Sequence, residues 1–197
     1  TGRALLSLGG QTPVDCCAVV YDAVRASNAS ASSGSGGSSW VLILVVSSAL
    51  LLVGALFVVR RSNDATRSSK AGVVSGMALA LFVVFWLVAA HQALVTDLAA
   101  YHFGVLAHHC PWCLFALRHN LVGYPLYGAM ALVLFEALAM TVAMIVAGRQ
   151  EVRLRGPSVR RARRAGIMII IAIVVFLGLA LGPALLWRAH HGVWIHG

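Results

Sequence analysis

Charge is what this chain has least of: Asp, Glu, Lys and Arg together make up 11% of 197 residues, and only six are acidic. A water-soluble domain carries about 25% charged residues, so that class is excluded. Alternation of polar with apolar residues is also missing, which excludes a membrane β-barrel. No internal repeat is present either. What remains is apolar, 60% of the sequence.

The apolar residues gather into four runs, about 40–59, 71–93, 124–147 and 166–187. Each reaches the roughly 20 residues that a helix needs to cross a bilayer core. Inside lipid every backbone amide must find a partner within its own segment, so the runs are helices. The expected fold is all-α: a polytopic membrane protein, a four-transmembrane-helix bundle in a lipid bilayer, with a small extracytoplasmic cap. Ahead of it lies an N-terminal segment, 1–39, that ends in the Ser/Gly-rich tether "SNASASSGSGGSS". The chain opens at Thr1 without methionine, and a preceding signal or membrane helix is expected to deliver this segment across the membrane.

The formal charge of +9 suggests nucleic acid, but the placement of the basic residues argues against it. Arg60, Arg61, Arg67 and Lys70 fall in the connection after the first run. Arg149, Arg153, Arg155, Arg160, Arg161, Arg163 and Arg164 fall in the connection before the fourth. Basic residues beside membrane helices mark the cytoplasmic side, so both connections are expected to face inward, with no nucleic-acid partner. Both ends of the chain and the connection 91–123 then face outward, as on a bacterial inner membrane. All eight His and all four Cys lie on that outer face or at its edge.

The densest chemistry is "HHCPWC", His108 to Cys113. A C-x-x-C pair that opens a helix brings two sulfurs within bonding reach, and the helix start favours a thiolate on the first. Pro111 suits a first helical turn, and neighbouring His108 and His109, when protonated, favour the Cys110 thiolate further. Cys110 is the expected nucleophile and Cys113 the resolving partner. A purely structural disulfide gains little from so short a loop. Leu114 stands where a haem c motif requires His. Cys16 and Cys17 are adjacent, with Cα atoms about 3.8 Å apart, too close for the usual disulfide geometry. They are therefore candidates for exchange with Cys110, for metal ligation, or for a small apolar pair.

An outer cysteine pair, two membrane helices joined by a cytoplasmic loop, then C-x-x-C near the outer end of the bundle: this arrangement resembles the vitamin K epoxide reductase and bacterial quinone-coupled disulfide-forming families. The resemblance implies a membrane thiol–disulfide oxidoreductase in which Cys110 and Cys113 exchange electrons with a bound quinone. Cys16 and Cys17 would be the shuttle pair, relaying to a thioredoxin-like partner. Trp112 and Glu136 are the residues expected at the quinone, Glu136 as a proton carrier, because a carboxylate amid a membrane run faces a partner, a cavity or a proton path. Its plain alternative is a bond to a neighbouring helix or subunit.

Two other functions fit the same residues. His102, His108, His109 and His119, with the cysteines, offer nitrogen and sulfur ligands suited to copper or zinc, although no C-x-x-C followed by H-x-x-x-H appears. Alternatively the chain is an accessory subunit of a larger respiratory electron-transfer complex, with Cys and His serving packing or a structural clip. Bis-His haem is disfavoured, since only His91 lies within a membrane run. If the second helix continues past His91, the spacing puts His91, His102 and His109 on one stripe, with Asp97 beside it to orient an imidazole or ligate a metal.

Overall fold

A computed structural model describes residues 39–61, 69–103, 111–115, 121–148 and 152–192. The N-terminal segment with Cys16 and Cys17 lies outside the described residues, as do His108, His109, Cys110 and His119. In chain order the elements are α1 (Ser39–Arg61), α2 (Ser69–Ala93), a π turn (Leu94–Leu98), α3 (Ala99–Phe103), a 3-10 helix (Pro111–Phe115), α4 (Gly123–Gly148) and α5 (Val152–His191). Four stretches are long and apolar enough to cross a membrane: Trp40–Arg60, Val74–Leu98, Gly123–Ala147 and Gly156–His191. The chain is a multi-pass, all-α membrane protein.

The four long helices close into a ring of contacts, α1 on α2, α2 on α4, α4 on α5, and α5 back on α1. Lipid is as apolar as leucine, so packing rather than water exclusion holds such helices together, and small residues that admit close approach are favoured at their interfaces. The distribution follows that rule. Ala55, Ala90, Ala137, Ala162, Ala165 and Ala180 are fully buried, while Leu42, Val53, Leu81, Phe135 and Leu186 point outward. A few large side chains fill the centre. Trp86 is fully buried, donates its indole N–H to the Ser48 hydroxyl of α1 at 2.8 Å, and meets the Phe176 ring of α5 edge-on at 5.3 Å. One indole thereby ties three helices.

The first three membrane helices fall within two residues of the boundaries read from the sequence. The fourth differs. It was expected from 166, with the arginines before it in a loop, but α5 begins at Val152 and carries Arg153, Arg155, Arg160, Arg161, Arg163 and Arg164 on its first turns. A hydropathy reading stops at charge, whereas Arg is a good helix former. Pro157 and Pro183 both lie inside the helix, as membrane helices tolerate. Arg60 and Arg61 likewise end α1, and Lys70 opens α2.

Among the described glycines, Gly166 leaves the least room for a side chain. A Cβ there would sit 2.6 Å from the Val59 methyl of α1 and 3.5 Å from the Ala55 carbonyl oxygen. Gly166→Leu is therefore expected to destabilise the protein by about 1–3 kcal/mol, the usual cost of overpacking, with the added Val59→Ala change recovering part of the loss. Thermal unfolding in detergent of the two variants, singly and combined, checks this; purely additive effects would contradict the crossing.

Candidate functional site

The C-x-x-C reaches the bundle through the 3-10 helix Pro111–Phe115, which begins right after Cys110 and carries Cys113 half-buried. A helix opened by the C-x-x-C pair, with Pro111 in its first turn, was expected from the sequence, and the described residues show a 3-10 helix starting at Pro111. It packs on the first turn of α4, where a Cβ at Gly123 would lie 3.0 Å from both the Leu114 backbone and the Phe115 ring. Any side chain there would push the cysteine helix away. The turn leading in is made by Leu121 at φ 55, a left-handed conformation that costs a non-glycine residue roughly 1 kcal/mol. Tyr124 N–H closes that turn by donating to the Leu121 carbonyl at 3.0 Å.

Phe115 is the centre of a ring cluster. It meets Tyr124 at 5.0 Å, perpendicular, Tyr127 at 5.3 Å and Trp112 at 6.2 Å. Tyr127 in turn shares a 3.2 Å hydrogen bond with Nδ1 of His91 on α2. Trp112 is 69% exposed and Tyr124 62%, so the cluster presents two aromatic faces outward beside Cys113. Trp112 is expected here from the sequence; Phe115 and the Tyr127–His91 bond are not. The signal was present in the aromatic i, i+3 pair Trp112 and Phe115.

His102 lies on α3, half-buried, and α3 touches both the 3-10 helix and the end of α5. The structure thus brings the His102 segment beside the Cys113 segment. It does not keep His102 on the His91 stripe. Ala99 N–H bonds to Leu94 O across the π turn, one residue more than an α turn, which sets back everything after it by roughly 100°. His109 of the expected stripe lies outside the described residues. Asp97, within the π turn, accepts a 2.6 Å hydrogen bond from the Thr96 hydroxyl, which also donates to Gln92 O at 2.8 Å. Among the described residues no group of three His, Cys, Asp or Glu is placed to hold a metal.

Glu136 stands apart from Cys113. It lies 13 residues, roughly 20 Å of helix rise, along α4 from Gly123, and is 7% exposed. Its Oε2 accepts from Nη1 of Arg161 on α5 at 2.6 Å. The bond to a neighbouring helix is therefore what the structure places there, with an arginine as partner. Arg161 was missed because its segment was read as a loop. Helices joined by a short link run antiparallel, so residues at similar distances from the link face each other, and the link here spans only 149–151.

Compared with known proteins, the chain matches no family model, no curated protein and no solved structure. Removing one partner of a buried ion pair costs about 3–5 kcal/mol. The Arg161 side chain is 39% exposed, so a smaller loss of about 1–3 kcal/mol is expected for Glu136→Leu, given the relief that water or lipid headgroups supply to the arginine. The double variant with Arg161→Leu is expected to regain most of it. Unfolding in mixed detergent micelles measures the cycle, and equal stability of all four proteins would show that the pair contributes nothing.

Proposed function

We propose that this protein is a membrane thiol–disulfide oxidoreductase that exchanges electrons between Cys110/Cys113 and membrane quinone. The observation that carries the reading is the placement of Cys113 at one end of the bundle, on a helix whose exposed Trp112 and neighbouring Tyr124 offer flat aromatic faces. A quinone ring is flat and apolar, and stacking on such faces is the favourable contact. In the forward half-reaction the Cys110/Cys113 dithiol becomes a disulfide, and its two electrons and two protons pass to quinone to give quinol. A partner dithiol then reduces that disulfide: one partner thiolate attacks Cys110 Sγ and expels Cys113 as a thiolate, and the partner's second thiol attacks the resulting mixed disulfide, releasing reduced Cys110 and leaving the partner as a disulfide. Cys16 and Cys17 are the proposed shuttle to a thioredoxin-like partner. The resemblance to quinone-coupled disulfide-forming proteins supports the same assignment.

The sidedness follows from the arginines. With Arg60, Arg160, Arg163 and Arg164 at the cytoplasmic end, the C-x-x-C faces the oxidising side of a bacterial inner membrane, where disulfide exchange belongs. In this scheme Glu136, bonded to Arg161 well along α4 from the Cys113 helix, joins helices, and a proton leaving the dithiol exits at the cysteine end.

The expected result is that Cys113→Ser accumulates a reducible mixed disulfide at Cys110, whereas Cys110→Ser accumulates none. Thiol-dependent quinone reduction by the purified protein in detergent is expected to fall at least 100-fold in either variant, followed by quinol absorbance. Absence of the adduct together with unchanged quinone turnover would refute the assignment, and copper or zinc that copurifies with the protein and is lost on changing both His108 and His109 to Ala would replace it with metal handling.

A further inference from the structure

Four arginines occupy five successive positions, Arg160, Arg161, Arg163 and Arg164, and the helix divides them. Arg161 turns inward to Glu136, while Arg160, Arg163 and Arg164 are exposed. At i, i+3 and i+4 these three share one face, with Cβ atoms about 5–6 Å apart, so their charges repel one another. Relief from a carboxylate is scarce: Asp97 and Glu136 are the acidic groups among the described residues. Asp97 belongs to the opposite end of α2, and Glu136 already serves Arg161.

The same face continues without a break into apolar side chains. Ile167, Met168, Ile171 and Val175 follow at helical spacing from Arg160 and Arg164, and all are exposed. One turn after Arg163, Gly166 lets Val59 of α1 pack against the helix, which brings the last turn of α1, with exposed Arg60, alongside. The stripe is thus cationic at one end and oily along the rest.

We propose that this stripe of α5 is a binding site for an anionic phospholipid. The guanidinium groups of Arg160, Arg163 and Arg164 hold the headgroup phosphate by charge-assisted hydrogen bonds, and the acyl chains lie along Ile167, Met168, Ile171 and Val175. The charge pattern selects the occupant. A zwitterionic lipid brings its own cation to the cluster, a soluble acidic protein has no use for the apolar continuation, and a second copy of this chain would set like charges together. Basic clusters at the cytoplasmic ends of membrane helices attract anionic headgroups by about 1 kcal/mol per residue.

The test is native mass spectrometry of the full chain in detergent with equimolar phosphatidylglycerol and phosphatidylcholine. Wild type is expected to retain phosphatidylglycerol at least about tenfold over phosphatidylcholine. The variant with Arg160, Arg163 and Arg164 all changed to Gln is expected to lose that preference. A charge-matched variant with Arg149, Arg153 and Arg155 changed to Gln is expected to keep most of it. Equal loss in both variants would overturn the site in favour of diffuse attraction, and so would an unchanged preference in the first. Displacement of the lipid by millimolar inorganic phosphate alone would show an anion site rather than a lipid site. Should the triple variant not fold, R163Q and R164Q singly are expected to reduce the preference about two- to threefold each, and no reduction in either would likewise overturn the proposal.

Discussion

Close approach of helix backbones is the constraint on which this bundle rests. With no water to expel from between helices in lipid, contact must be made by atoms that fit, and alanine and glycine let the axes come near enough for dispersion to accumulate. Gly166 against Val59, Gly54 against Leu79 and Gly76 against Met144 place such contacts at three different crossings. At the last of these the Thr141 hydroxyl donates across to the Gly76 carbonyl at 3.1 Å. The large apolar residues are displaced outward as a result. What resembles an exposed hydrophobic surface in water is the ordinary exterior of a protein solvated by acyl chains.

Among the described residues buried polar groups are few, and three bonds from such groups or beside them join helices. The Trp86 indole meets Ser48, Thr141 meets Gly76, and Glu136 meets Arg161. Uniform apolar packing permits several rotations of a helix about its axis, whereas a directional bond permits one. The three bonds fix α2 on α1, α4 on α2 and α5 on α4 in sequence around the ring. The cysteine end is organised differently, by ring stacking around Phe115 and by the bare backbone of Gly123, which together seat a short helix on the end of a long one.

Much of this was legible in the amino-acid sequence, for reasons that explain what was not. The three spans bounded by aromatic, glycine or serine residues, interrupted by a single carboxylate at Glu136, showed their limits within two residues, because hydropathy and helix boundaries coincide there. At α5 they separate: the arginines leave the hydrocarbon but not the helix, and with that extension hidden, Arg161 was invisible as a partner for Glu136. The π turn is the other case. Periodicity assumes a constant 100° per residue, and nothing in "LVTDL" announces the extra residue that rotates His102 away from His91. The aromatic character of the C-x-x-C surroundings was partly foreseen through Trp112, but the meeting of Phe115 with Tyr124 and Tyr127 depends on the turn at Leu121, a long-range consequence of one unusual backbone angle.

The Glu136–Arg161 contact also bears on how the protein enters its membrane during synthesis. Alone, α4 would carry an unpaired carboxylate into the membrane, where charged groups are costly, and α5 would bring a guanidinium with no counter-ion. Emerging from the ribosome only 25 residues apart in sequence, the two neutralise one another as a helical hairpin, so partition into lipid is a property of the pair.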